Sequence, residues 1–223
     1  MEVIDTIVSF SGIDSSGKTT QIELFYNYCC NNGIKVKKVW SKARGTPGVV
    51  WLKEVVRRDK HLDASEKLKY RNEIFKNSKK KKLLYVVSML DLCWYWGIYY
   101  RILNIKYDIL ICDRYLWDTY VELNKDFEGI NIDNSFLWKV VNTVAPIPQY
   151  SFIFVVSAEV SLERDYKKNA AGIEDIETKK KKIDMYMKLI AKKCWTNVMD
   201  GMKTIQELHE NILYIIGLKN ENR

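Results

Sequence analysis

Proline is nearly absent from this chain. Only Pro47, Pro146 and Pro148 occur in 223 residues. No Pro-rich or Gly/Ser-rich linker divides the sequence, and no internal repeat is visible. Cysteine is sparse as well. Cys29, Cys30, Cys93, Cys112 and Cys194 are odd in number and form no C-x-x-C pair, which argues against a disulfide framework or a zinc site. The amino terminus carries neither a basic n-region nor a small-residue cleavage site, so the expectation is a reduced, cytoplasmic protein rather than a secreted one. Long uncharged runs are missing too. The most apolar stretch, Leu83–Ile105, is interrupted by Asp91 and Arg101. A bilayer span of about 20 residues tolerates few charges, and a carboxylate near its middle is costly. The expectation is no membrane span, but a helix that is buried or pairs with a second copy.

Apolar and aromatic residues are plentiful, at 47% and 13% of the chain, enough for a packed core and against wholesale disorder. The length suits a single α/β domain over residues 1–223, or at most two small lobes. The formal charge of +8 fits anionic partners such as phosphates. Two tetralysine runs, Lys79–Lys82 and Lys179–Lys182, hold much of it and read as solvated helix faces. No interleaved basic and aromatic motif marks a nucleic-acid surface, so none is expected.

Short apolar runs read as strands at Val3–Phe10, Ile34–Trp40, Tyr107–Cys112, Ser151–Val156 and Trp195–Met199. Between them, helical spacing covers Thr19–Asn31, Ala64–Lys76, Lys80–Ile105, Asn134–Val144, Ser161–Lys168, Glu174–Lys193 and Thr204–Ile215. Alternating strands and helices imply right-handed crossovers and a three-layer α/β fold, a central parallel five-stranded sheet flanked by helices. Ligands of such sheets bind at the carboxyl ends of the strands.

The residues that carry chemistry fall at those ends. Gly12-Ile13-Asp14-Ser15-Ser16-Gly17-Lys18-Thr19 matches G-x-x-x-x-G-K-[ST] in full. Glycines let the backbone curl until successive N–H groups point at phosphate oxygens, and the helix that follows adds the positive end of its dipole. Gly12, Asp14, Ser15, Ser16, Gly17, Lys18, Thr19 and Thr20 are the candidate nucleotide-binding residues. Lys18 is placed to reach the β- and γ-phosphates of ATP, and the Thr19 hydroxyl to coordinate Mg²⁺. The strand "YDILICDRY" ends in Asp113-Arg114-Tyr115. Asp113 there can hold the Mg²⁺ as a Walker-B aspartate does, and Arg114 brings a fixed charge suited to a phosphate.

A GTPase would carry Asn-Lys-x-Asp, but the nearest string is Asn124-Lys125-Asp126-Phe127. A small phosphoryl-transfer enzyme remains. Here the chain resembles the thymidylate kinase family over nearly its whole length. "SFSGIDSSGKTTQ", with Asp14 inside the loop and Gln21 after it, is similar to that family's first motif, and "ICDRY" to its second. The segment Ala158–Arg164 resembles the approach to its lid, about residues 164–178. The resemblance implies ATP and Mg²⁺ as cofactors, transfer of the γ-phosphoryl to a nucleoside monophosphate such as dTMP, and a homodimer. By the same analogy Asp14 contacts the acceptor sugar and Arg114 its phosphate. A hydrogen bond internal to the loop is the competing role for Asp14.

The departures lie in the acceptor half. The family's arginine on the long helix aligns with Met89. Its Tyr-Gln pair is replaced by Glu122 and Leu123, and its Arg-Glu-Pro-Gly segment by "WSKARGTPG", where only Arg44 and Thr46 could supply comparable contacts, Arg44 being the candidate substrate contact. Trp94, Trp96, Trp117, Asp91 and Asp118 are candidates for lining an altered pocket, of which Trp117 and Asp118 are the expected substrate contacts. Aromatic core packing is the plainer role for most of the tryptophans. Were the acceptor a hydroxyl, Asp118 or Asp91 would be the candidate base. Ser15 and Ser16 leave the loop without an arginine, so transition-state charge is expected from the lid, through Arg164 or Lys168. Two readings stay open beside the leading one: a kinase of a hydroxyl-bearing small molecule, and a nucleotide-binding regulatory protein without catalysis.

Overall fold

The computed structural model describes residues 6–40, 78–169 and 172–218. The expected helix Ala64–Lys76, the first residues of the expected strand Val3–Phe10, Arg44 and Thr46 lie outside the described residues. The chain divides into two compact units. One spans Met1–Trp40, Leu103–Val121 and Ile147–Arg223, the other Ser41–Ile102 and Glu122–Pro146.

The first unit is built on a five-stranded sheet: β1 (Thr6–Gly12), β2 (Val36–Trp40), β3 (Ile109–Asp113), β4 (Tyr150–Val155) and β5 (Asn197–Asp200). The order is β2-β3-β1-β4-β5, and every pairing is parallel. β1 is central and buried at all seven positions, as expected when helices cover both faces of a parallel sheet. One face packs Val8, Phe10, Phe152, Phe154 and Met199 against helix α1 (Lys18–Asn31) and the C-terminal helix α8 (Ile205–Ile216). Phe10 stacks on Phe152 and Phe154, with ring centroids 5.5 and 6.2 Å apart. The other face packs Ile153 and Val156 against Val121 of helix α4 (Leu116–Asp126) and Tyr186 and Leu189 of helix α7 (Ile176–Ala191). These are the three expected layers. The crossovers from β1 run to one side of it through β2 and β3 and then to the other through β4, so the chain switches direction at the carboxyl end of β1, where ligands of open α/β sheets bind.

In the second unit, helix α2 (Ser78–Trp94) runs into a π-helical turn at Tyr95–Tyr99, and α3 (Tyr100–Lys106) continues it. The Tyr100 N–H donates to the Tyr95 carbonyl, five residues back. Helix α5 (Phe136–Val144) also belongs to this unit, with Ser135 as its N-cap, accepting from Trp138 N. The Ser135 hydroxyl accepts from Tyr85 at 2.6 Å. Among the described residues no helix is long and apolar enough to cross a membrane.

Two expectations need correction. The helix at Leu116–Asp126 is absent from the sequence reading. Its β-branched and aromatic residues, Trp117, Thr119, Tyr120 and Val121, have weak helix propensity. The helix is started by a local device, Asp118 reaching back to the Tyr115 N–H at 3.1 Å, the returning arm of a capping box. The second tetralysine run is not a solvated face. Lys179 and Lys182 are buried and paired, while Lys180 and Lys181 are exposed.

Candidate active site

The loop between β1 and α1 is shaped by three positive φ angles, at Gly12 (132°), Ser15 (55°) and Gly17 (99°). A Cβ on Gly12 would stand 2.5 Å from the Phe154 carbonyl oxygen of the neighbouring strand, so only glycine fits there. Gly17 is the N-cap of α1 and has no side chain to cover the first N–H groups. Those donors stay available to an anion. Lys18, the first helical residue, folds back into the loop. Its Nζ donates to the Ile13 carbonyl at 2.6 Å and lies 3.4 Å from Ser16 Oγ. The ammonium is buried. Burial first, and the Arg114 guanidinium second, push its pKa from 10.5 down to about 7. A group held in this way is poised to gain from an arriving anion.

β3 delivers the second motif beside the first. Phe10 of β1 is in register with Asp113, and the Arg114 N–H donates to the Phe10 carbonyl at 2.9 Å. Asp113 ends the strand, and burial pushes its carboxyl up while the charges of Lys18 and Arg114 oppose the shift. Arg114 takes a left-handed backbone, φ 68°, a conformation a non-glycine residue keeps only when its surroundings enforce it. That turn sends the side chain back under the loop, where it donates to the Gly12 carbonyl at 3.0 Å and forms an ion pair with Asp14.

Asp118 stands one turn further on. Its carboxylate accepts from Ser11 Oγ at 2.5 Å, Gly12 N at 3.2 Å, Tyr115 N at 3.1 Å and Tyr186 Oη at 2.8 Å, and lies 3.5 Å from Arg114 Nη1. The side chain is 1% exposed. It ties β1, α4 and α7 together behind the loop, and its lone pairs are occupied by the protein itself. Trp117 packs edge-on to Tyr120 and against the core cluster around Val121 and Tyr186. Asp118 is buried, whereas Trp117 stays partly exposed.

Helix α6 (Ala158–Lys167) packs its side chains against the loop. Arg164 donates to the carbonyls of Ser15 and Gly201, at 3.4 and 3.1 Å. Gly201, just after β5, is itself pressed against the loop. A Cβ there would meet the Ser16 carbonyl at 2.9 Å and Val156 Cγ1 at 2.5 Å. Lys168 caps the C-terminal end of α6 and is exposed. Thr19 and Thr20 are exposed at the start of α1. In the other unit Met89 and Trp96 are fully buried, Trp94 is half exposed and stacked on Tyr99, and Asp91 is partly exposed.

The structure therefore brings Gly12, Asp14, Ser15, Ser16, Gly17, Lys18, Asp113, Arg114 and Arg164 to one end of the sheet. Sequence reasoning missed Ser161, Asp165, Lys179 and Gly201. The lysine had a signal. Stepping back from the apolar positions Leu189 and Tyr186 by helical spacing reaches 182 and 179.

The residues expected to hold a divalent cation are Thr19, exposed at the start of α1, and Asp113, at the end of β3. Among the described residues no cluster of three or more His, Cys, Asp or Glu side chains exists that would build a cage. That donor set fits Mg²⁺, which takes one or two protein oxygens and fills its octahedron with phosphate and water.

The family model described as Thymidylate kinase matches residues 10–212. The chain belongs to the thymidylate kinase family. It is a nucleoside monophosphate kinase-like phosphotransferase of that family. Among similar proteins, a thymidylate kinase of Sulfurihydrogenibium sp. (strain YO3AOP1) is 27% identical over 208 residues, covering 92% of this chain and 94% of the relative. A thymidylate kinase of Fervidobacterium nodosum is 28% identical over 216 residues, with 94% and 98% covered. A probable thymidylate kinase 2 of Saccharolobus solfataricus is 23% identical over 235 residues, with 95% of each covered. In each case the similarity covers more than nine-tenths of this chain.

Proposed function

We propose that the protein transfers the γ-phosphoryl of ATP to dTMP or a closely related nucleoside monophosphate, with Mg²⁺ bound by Thr19 and Asp113. The observation that carries this reading is the approach of Arg114 and Asp14 to each other across the loop that holds Lys18. One end of the sheet then offers donors to a polyphosphate and a cation–carboxylate pair to a second, phosphorylated molecule. An oxygen of the acceptor phosphate forms the new bond to the γ-phosphorus as the β–γ bridging bond breaks and ADP leaves. The acceptor is already an anion, so no side chain has to remove a proton. The work is positioning and neutralising charge. Lys18 follows the charge on the β/γ oxygens, and Arg114 leaves Asp14 in part to take the acceptor phosphate. Thr19 and Asp113 would hold Mg²⁺, which would supply Lewis-acid neutralisation of phosphate charge.

Arg164 and Lys168 supply the remaining positive charge from the lid side on this reading. Replacing both with alanine lowers kcat by about 10²-fold, read by coupled ADP release, and an unchanged kcat removes them from the reaction. The main experiment measures acceptor-dependent ADP formation across a panel of monophosphates and hydroxyl compounds. dTMP or a near relative stimulates turnover, and Lys18→Ala abolishes it. Turnover with hydroxyl acceptors alone, or nucleotide binding with no acceptor at all, refutes the assignment.

Two further parts of the proposal concern assembly and location. Leu83, Val86, Leu90, Trp94, Ile98 and Ile102 are exposed apolar residues spaced along one helix of the second unit, which supports a homodimer of the family's kind through that helix. All five cysteines are free thiols, which suits the reducing cytoplasm.

A further inference from the structure

Lys179 of α7 and Asp165 of α6 form a buried ion pair, Nζ to Oδ2 2.6 Å, with side-chain exposures of 1% and 6%. Such a pair is weak as a fastener. Removing two charges from water is costly, and well-packed apolar residues would join the helices as well or better. Its other hydrogen bonds show where it is directed. Asp165 Oδ1 accepts the Ser15 hydroxyl at 2.5 Å. Lys179 Nζ also donates to Ser161 Oγ at 2.8 Å, and Ser161 passes its own proton to the Asp14 carbonyl at 2.7 Å. Two branches from one ammonium thus end on consecutive residues of the phosphate loop. Ser161 and Asp165 are four apart on one face of α6, and Arg164 beside them holds the Ser15 carbonyl.

We propose that Asp165 and Lys179 are positioning residues for the phosphate loop. The Asp165 branch holds Ser15 in its left-handed conformation, φ 55°, which sets the direction of the loop amides. The Ser161 branch holds the Asp14 peptide, and with it the carboxylate that meets Arg114. This rests on the reading of the loop as the nucleotide-phosphate site. The two partners are unequal. A carboxylate beside the loop repels a polyphosphate unless it is neutralised, so Lys179 also shields the nucleotide from Asp165.

The test uses the full chain with Ser15→Ala, Asp165→Asn, Lys179→Met and the double variant Asp165→Ala/Lys179→Met. It reads the Kd of Mg-ADP, kcat and KM for both substrates, and Tm. Ser15→Ala and the double variant each lower kcat/KM for ATP by about ten-fold, and Ser15→Ala adds nothing in the double-variant background because the link is already cut. Asp165→Asn keeps an acceptor for Ser15 and is mild, whereas Lys179→Met weakens Mg-ADP by about ten-fold more than Asp165→Asn. The proposal is overturned if these variants lower Tm alone with kcat, KM and Kd unchanged, or if the effects of Ser15→Ala and the double variant simply multiply. Should Lys179→Met fail to fold, Ser15→Ala and the double variant decide the matter. Wild-type protein that binds no Mg-ADP would instead refute the phosphate-site reading, before any variant is made.

Discussion

At the scale of single residues, Lys18 concentrates the tension in this site. It is buried with Arg114 nearby, and its pKa falls to about 7. The unfolded chain binds a proton between about pH 7 and 10.5 that the empty native site does not, so native stability rises with pH through that window. Below about pH 7 the native ammonium is charged and the cost is felt in full. Lys18→Met therefore raises resistance to urea at pH 6, with a gain that shrinks toward pH 9, while turnover is lost. Equal stability of the two proteins at both pH values contradicts this. A bound polyphosphate reverses the shift by stabilising the ammonium. At pH 8 nucleotide binding takes up a proton, and affinity falls as pH rises above about 7. Calorimetry in two buffers of different ionisation heat measures that uptake directly, and a heat independent of buffer refutes it.

At the scale of elements, the long helix of the second unit shows how one irregular turn organises a surface. Its exposed apolar residues Leu90, Trp94, Ile98 and Ile102 recur every four positions, as do the buried Leu92, Trp96 and Tyr100. A regular α-helix has 3.6 residues per turn, so a strict four-residue repeat drifts around it. The wider π turn at Tyr95–Tyr99 absorbs the excess and keeps both stripes in line. Gly97 lies in that turn, where a Cβ would stand 3.4 Å from Val144 Cβ of α5. With a second copy as the stripe's partner, Leu90→Glu/Ile98→Glu gives a monomer by sedimentation without unfolding. A pair that sediments as wild type rules this interface out. In the first unit, α6 and α7 contribute side chains to the loop although neither carries a recognisable phosphate motif.

At the scale of the whole molecule, the loop is held by β1, α1, α6 and the end of β5 together, through Gly12, Arg164 and Gly201. A ligand seated there stabilises the fold it depends on. Mg-ATP at about 100 times its Kd adds about 2.7 kcal/mol to the unfolding free energy, measurable as a shifted denaturant midpoint that Lys18→Ala removes. No shift at saturating nucleotide would show that the loop is not the binding site. The positive charge of the chain also divides at this scale. Lys180 pairs with Glu159 in the open, where solvent screens the pair, whereas Lys179, in the same run, is committed to the interior.

The sequence alone was enough for the α/β alternation, the parallel sheet, the loop from Gly12 to Thr19 and the Asp113-Arg114 strand end. Each is written in a local pattern: an apolar run, a glycine where φ must be positive, a hydroxyl and an ammonium at a helix start. It was not enough for Asp118, read as a substrate contact or base but placed as a buried junction of β1, α4 and α7. Nor did it separate Lys179 and Lys182 from Lys180 and Lys181, or show the helix at Leu116–Asp126. Asp118's role depends on Ser11 and Tyr186, 107 and 68 positions away, and that of the lysines on the side of α7 that happens to face α6. Whether a charge is solvated or buried against its counterion is decided only when distant segments pack, because desolvation and pairing energies belong to the assembled interior and to no stretch of chain by itself.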